Sequence, residues 1–530
     1  MAAERSLSGT AGTKPTPSAL LDRLRELAEQ HADRPAFTVA HPDGSESTLS
    51  FRTLRDDWLS VAATLRDAGI GPGDVLVLSL ENHIRYLSLV LGAWEAGAAA
   101  LLISPWLPAA DLDALLELTD ERLGRPVLVR STAQDTVDSL VVAPSGELTF
   151  RPSASAPRGV PGSRATDSYL YLTSGGTTGI PKVMPYPLRW TGRSGSPYSS
   201  AGLKDRGPVD RASGARSRLL CGSLYHTGNF APSFHVLLTG SGVVAQEDFA
   251  PDLTVRLLRR HDVYSLGITP GHMMSVLTLP DLDRGAFDRL GRVTHGAAPC
   301  PRWVKEGWIE LVGPDRLFEI YYSSELGGSS RPVVASGAEW LERPGTVGKA
   351  QGVRVLDEHG RDVPPGTVGE IYFAQTYGAA HTYVGPSTLR RAPDDASHIS
   401  VADLGWLDED GYLFLADRMS DTVEIEGTTV YPRNVEKAIA ELPEVGDVAV
   451  VGLWDENGAP YLHALVQGRD GTTPALDAER IREHCAASLT TAEVPARVQF
   501  TTALPRTAEG KLRKSVVRDI VETSPDGAVS

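Results

Sequence analysis

The chain is 530 residues long, too long for a single hydrophobic core, so two or more domains are expected. Hydrophobic residues make up 41% and charged residues 22%, an ordinary globular composition that excludes fibrous and disordered classes. The formal charge of −16, from 67 acidic against 51 basic side chains, argues against a general binder of nucleic-acid backbones, which needs a basic stripe.

Taken in chain order, Met1 to Ser18 are small and polar and read as a loose tail rather than a signal peptide. Leu54 to Ala68 carries apolar residues at helical spacing and closes at Gly69, a residue suited to end a helix. Val75 to Leu80 has strand length, Tyr86 to Ala96 reads as a helix, and Ala98 to Ser104 as another buried strand. This alternation implies a parallel sheet covered on both faces. Similar strands recur at Tyr169–Leu172, Leu219–Ser223, Val243–Gln246 and Val263–Ile268. The patch Pro152–Arg164 reads as an exposed connector. From about Gly345 to Tyr372 short strands with Pro-Pro-Gly and Gly-Glu turns suggest a small β unit. After Arg418 a compact tail follows: a helix near Pro432, strands Asp447–Gly452 and Leu462–Val466, and a helix Ala478–Leu489. The most apolar stretch, Leu87 to Ser104, is broken by Glu95 and two glycines, so no membrane span is expected. Cys221, Cys300 and Cys485 lack metal spacing and fit a reducing compartment, so a cytoplasmic location is expected.

The strongest chemical signal is Ser174-Gly175-Gly176-Thr177-Thr178-Gly179-Ile180-Pro181-Lys182, directly after a strand. Glycines allow a turn whose amides face an anion, and the hydroxyls of Thr177 and Thr178 add donors. No Lys-Ser or Lys-Thr pair follows the last glycine, so it is not a Walker A loop. Taken alone, the segment reads equally well as a flexible surface turn.

Three further segments, in order, tip the balance. Tyr322-Ser323-Ser324-Glu325, Asp403-Leu404-Gly405-Trp406 with Asp417-Arg418, and Pro505-Arg506-Thr507-Ala508-Glu509-Gly510-Lys511 follow the glycine loop. Together the four motifs resemble the adenylate-forming superfamily of acyl-CoA synthetases, adenylation domains and luciferases, over roughly Arg34 to Arg518. The resemblance implies an α/β fold: a large N-terminal domain (19–418) of two α/β sheets plus a small β-barrel, a hinge at Met419–Asp421, and a mobile α+β C-terminal domain (422–522). It implies ATP with Mg²⁺ as the nucleotide and CoA as co-substrate. A separate carrier protein is the alternative acceptor, and the expected state is a monomer or homodimer.

The chemistry fits the residue types. Asp403 offers two acceptor oxygens to a ribose diol, and Arg418 a planar cation near the same sugar or the phosphates. Glu325 is a hard oxygen ligand for Mg²⁺, and Ser323 and Ser324 flank it as nucleotide-loop donors. Tyr322 is expected to stack on adenine, with Gly296, Ala297 and Ala298 against the other face of the base. Lys511, an ammonium on a flexible stem, bridges carboxylate and phosphate, assisted by Thr177 and the loop amides up to Gly179 and Lys182. His226, in Leu224-Tyr225-His226-Thr227-Gly228, is a candidate gate for the substrate carboxylate. His226, Asn229, Phe230, His295, Gly327 and Gly328 are expected to wall the acid pocket. Thr227 stands where amino-acid-activating members carry an aspartate, which disfavours a free α-amino acid. Room at the glycines points to an elongated aryl or arylacryl acid, or a medium acyl chain.

Several positions depart from the family pattern. Gly175 replaces a common serine, and Met184-Pro185-Tyr186-Pro187 lacks a frequent histidine. Val401-Ala402 replaces Thr-Gly before Asp403, Ser420 takes the hinge position, and Glu426 stands where glycine often lines the pantetheine route. The expected reaction is ATP-dependent activation of a carboxylic acid to its acyl-AMP, then transfer to CoA. The alternatives are another acceptor (carrier-protein thiol, amine, or diazotase-like activation of nitrite) and a non-catalytic nucleotide-binding relative.

Overall fold

The computed structural model describes residues 17–132, 137–153, 168–174, 181–186, 188, 216–326, 330–375, 383–385, 388–469, 476–507 and 510–523. The helix Tyr86–Ala96 forms as its apolar sequence dictates and is buried on nearly every side. The expected helix at Leu54 begins earlier, as Phe51–Asp67, because Ser50 and Thr53 cap each other's backbone at its start. A helix Pro17–Gln30 opens two residues inside the segment expected to be loose, and Leu20, Leu24 and Leu27 bury its apolar stripe.

Two mostly parallel sheets dominate. The eight-stranded sheet runs, in spatial order, Val333–Ser336, Leu317–Tyr321, Arg292–Gly296, Val263–Gly267, Ser217–Leu220, Val243–Gln246, Pro35–Ala40 and Glu46–Ser50. Its interior ladders are parallel and its two edge ladders antiparallel. A seven-stranded sheet repeats the plan around Asp74–Leu78, Ala99–Leu102, Arg125–Arg130 and Leu170–Thr173. The main core lies where the sheets face each other: Phe37, Val39, Leu220 and Val243 from one, Leu76, Leu78, Leu102 and Leu170 from the other, with Trp58 and Phe234 from helices. The far face of the larger sheet packs Leu219, Leu266 and Val293 against Trp308 and Leu257 of its covering helices. Strand alternation therefore turns Arg218, Ser265, Gly267, Arg292, Thr294 and Gly296 to the opposite face.

The small β unit is an antiparallel sheet in the order Thr346–Lys349, Tyr412–Arg418, His398–Leu407, Gly369–Ala374, Val353–Leu356, with Arg390–Arg391 paired beside His398–Leu407. Among the described residues its end strands do not pair, so the expected barrel is an open sheet. Beyond Asp421, Val435, Ile439, Val450, Val466, Ile481 and Cys485 form a core of their own, around strands Val445–Trp454, Pro460–Gly468 and Arg497–Thr501. The three cysteines are free. Among the described residues no helix is long and apolar enough to cross a membrane.

Candidate active site

In open α/β sheets, ligands bind beyond the carboxyl ends of the strands. At that edge of the eight-stranded sheet four strands deliver their loops together: His226 after Ser217–Leu220, Thr269 to Gly271 after Val263–Gly267, Gly296 to Ala298 after Arg292–Gly296, and Tyr322 to Glu325 after Leu317–Tyr321. A side chain at Gly296 would put its Cβ 2.4 Å from the Ile320 carbonyl oxygen, so the two strands approach only with glycine there. Ala297 follows with φ +70, a left-handed conformation that aims the exposed loop backbone outward.

Asp403 and Arg418 are direct cross-strand partners, with Nε to Oδ1 at 3.6 Å. Arg418 is 61% exposed, so this pair adds little stability and leaves the guanidinium available. The Tyr321 hydroxyl donates to Asp403 Oδ2 at 2.7 Å. Burial raises the Asp403 pKa against the pull of Arg418 and Tyr321. Tyr321 was not among the expected residues; its neighbour Tyr322 was. Two adjacent tyrosines are indistinguishable by type, and only the fold shows that Tyr321, the last residue of its strand, is the one that meets Asp403. Tyr322, half-buried, packs against the small β sheet's core. Ala402, beside Asp403, has φ +63, which explains why glycine is usual at that position.

Ser323 donates its hydroxyl to the Glu325 carboxylate, which leaves Ser324 as the other hydroxyl of the turn. Burial and Glu325 push the Tyr383 hydroxyl pKa up, and the Lys182 ammonium lies 4.8 Å from the Tyr383 ring centroid. Ser174 and Lys182 close the stem of the glycine-rich turn: Ser174 N donates to Lys182 O at 2.9 Å, and Lys182 N to Ser174 Oγ at 3.2 Å. The turn joins antiparallel strands Leu170–Thr173 and Val183–Pro185. Gly175, Gly176, Thr177, Thr178 and Gly179 of that turn, and Gly327 and Gly328, lie outside the described residues. Carboxylates such as Glu325 and Asp403 and a guanidinium such as Arg418 are the group types that would hold a magnesium-bearing nucleotide.

The lysine loop reaches the same edge. Arg506 clamps it, with an ion pair to Asp447 and a bond from Nη1 to Gly510 O at 2.5 Å. Thr507 N donates to Lys511 O at 2.9 Å. Gly510, with φ +76, lies against Thr269, Gly271 and His272 at the start of the helix Pro270–Leu277. The loop therefore rests directly beside the carboxyl ends of the strands.

Two expected pocket walls are corrected. Phe230 is fully buried and stacks on Phe234 with centroids 5.6 Å apart, so it belongs to the core between the sheets. His295 shares the face of Val293 and points toward the covering helices, beside Lys305 and Glu319. Asn229 uses its amide to hold the Ser223 carbonyl at 3.1 Å, which fixes the loop before His226. His226 itself is half-buried at the helix start, its ring 4.3 Å from that of Tyr225.

A family model described as AMP-binding enzyme matches residues 24–384, and one described as AMP-binding enzyme C-terminal domain matches residues 434–511. A fatty acid–[acyl-carrier-protein] ligase of Streptomyces coeruleorubidus is 25% identical over 483 residues, 89% of this chain and 91% of that one. A 2-succinylbenzoate–CoA ligase of Bacillus cereus (strain AH820) is 25% identical over 513 residues, 94% of this chain and 98% of that one. The ATP-bound MatB structure from Rhodopseudomonas palustris superposes with a TM-score of 0.75 at 23% identity, covering 95% of this chain and 98% of that one.

Proposed function

The chain belongs to the AMP-binding enzyme family, and from that premise we propose that it activates a small carboxylic acid with ATP as an acyl-adenylate and then passes the acyl group to CoA. The observation that carries this reading is convergence. Asp403 with Tyr321, Glu325 with Ser323, and the Lys511 loop meet at one sheet edge although they are far apart in sequence.

Little covalent chemistry is asked of the protein. The acid's carboxylate oxygen forms a bond to the α-phosphorus as the bond to pyrophosphate breaks. The protein must bring two anions together and hold the charge that spreads over the phosphate oxygens. Asp403 would hold the ribose hydroxyls, Arg418 would meet the sugar or the phosphates, and Lys511 would steer the carboxylate onto the phosphorus. Magnesium held at Glu325 would neutralise phosphate charge. His226, at the start of its helix, would gate the substrate carboxylate.

A second reading keeps the adenylation and changes the acceptor to a carrier-protein thiol. Glu426, with Gly427, forms the two-residue turn between Val423–Ile425 and Thr428–Val430 at φ +51, and because CoA and a carrier protein present the same pantetheine arm it bears equally on both acceptors. The name of the Streptomyces relative pairs a fatty acid with such a carrier. Pyrophosphate release from a panel of acids, with CoA, with a carrier protein and with neither, tests both readings. Lys511→Ala should slow acyl-adenylate formation on the order of a thousandfold while sparing transfer from a supplied acyl-adenylate. Equal loss in both steps would show that the lysine acts elsewhere.

A further inference from the structure

Arg218 lies on the strand Ser217–Leu220, in the middle of the larger sheet, and is only 6% exposed. Its Nη1 donates to Ser265 Oγ at 2.9 Å, and its buried Nε has no partner among the described residues. Among the described residues no carboxylate reaches it, and its charged neighbour is another arginine, Arg292. Burial pushes its pKa down to about 10, so it is still a cation at neutral pH. A guanidinium out of water is costly unless a counter-charge replaces its hydration, and one neutral hydroxyl does not do that.

The direction of the side chain says where the counter-charge belongs. Arg218 pairs in register with Ser265, and Leu220 with Gly267, so the side chain crosses Ser265 and ends over Gly267. A Cβ at Gly267 would lie 2.4 Å from Arg218 Nη2; only glycine leaves that path open. The side chain thus runs toward the edge that carries Gly296 and His226, on the same face as Thr294 and Gly296. Its Cα is two residues short of the strand end, roughly 7 Å below that edge. One strand beyond Ser265, Arg292 adds a second cation on this face, its guanidinium 5.2 Å from the Phe318 ring centroid. Nε and Nη2 of Arg218 form a pair of parallel donors matched to the two oxygens of a carboxylate.

We propose that Arg218 binds a second carboxylate of the acid substrate, remote from the carboxyl group that is activated, so that dicarboxylic acids are the preferred substrate class. This rests on the reading of the chain as an acid-activating enzyme. It replaces the expectation of an apolar tail with one of an acid short enough for its far end to lie below the strand edge.

The test compares butyrate, hexanoate, octanoate and benzoate with succinate, adipate, suberate and isophthalate, measuring pyrophosphate release by the full-length protein. The expected result is a diacid preference on the order of a hundredfold in kcat/KM for the best-fitting pair. Arg218→Met should abolish that preference and leave the KM for ATP and the monoacid rates unchanged. The favoured diacid, without ATP, should raise the Tm of the native protein and not that of the variant. Should Arg218→Met fail to fold, Arg218→Lys, which keeps charge but loses the paired donors, carries the comparison. Selective loss of diacid activity supports the proposal; equal loss for both classes overturns it. A native enzyme that prefers monoacids also overturns it and leaves the acid-activating reading standing. Pyrophosphate release with neither class refutes that underlying reading and the proposal with it.

Discussion

Gly271→Ala separates the docking of the lysine loop from everything else the protein does. The added Cβ would lie 2.9 Å from the Gly510 carbonyl oxygen and 3.2 Å from the Gly510 Cα, where ordinary contact begins at 3.4 Å. Both are backbone atoms, so no rotamer clears the contact and the loop must retreat by about half an ångström. Overpacking of this kind costs about 1–3 kcal/mol. Set against a docked state, that is roughly 5- to 150-fold in population. The same substitution favours the helix Pro270–Leu277, where alanine is better than glycine by up to about 1 kcal/mol. The two effects have opposite signs, and this makes the variant diagnostic. Pyrophosphate release should fall by about tenfold or more. Transfer from a supplied acyl-adenylate should stay within about twofold, and the Tm should not drop. Unchanged pyrophosphate release, or equal loss in both half-reactions, would refute the docking argument.

Ala402→Gly relieves a left-handed φ of +63, and the gain is partly offset by the greater freedom of glycine in the unfolded chain. Denaturant unfolding should show a net gain of about 0.5–1 kcal/mol. Asp403→Ala should weaken AMP binding and also strand the Tyr321 hydroxyl, costing about 1–3 kcal/mol of stability. Adding Tyr321→Phe should restore the stability, measured by denaturant unfolding, but not the affinity, measured by calorimetry. His295 is buried with neither ring nitrogen partnered among the described residues, and burial, followed by Lys305, lowers its pKa to about 3. Because the unfolded chain takes up that proton first, stability is full above about pH 6.5 and falls toward pH 3 by about 1.4 kcal/mol per unit. His295→Asn should flatten that part of the stability–pH curve.

How much was legible beforehand differs by the kind of information needed. The helix Tyr86–Ala96 and the strand Val243–Gln246 are local consequences of apolar periodicity and length, and they form where the sequence places them. The four motifs were also legible, because glycine turns, paired hydroxyls and the Asp403, Glu325 and Lys511 side chains are fixed by residue type and order. Facing was not. His295 and Phe230 look like pocket residues in a linear string, yet strand alternation turns one toward helices and helix packing sinks the other into the core. Tyr321 ends the Leu317–Tyr321 strand and Tyr322 follows it, and a one-residue step decides which hydroxyl meets Asp403. Gly271 and Gly510 are 239 positions apart, and nothing in either local sequence signals that their backbones touch. Arg218 carries no motif at all. What makes it a candidate is burial with no counter-charge among the described residues, and burial is a property of every chain segment packed around it rather than of its own neighbours in sequence.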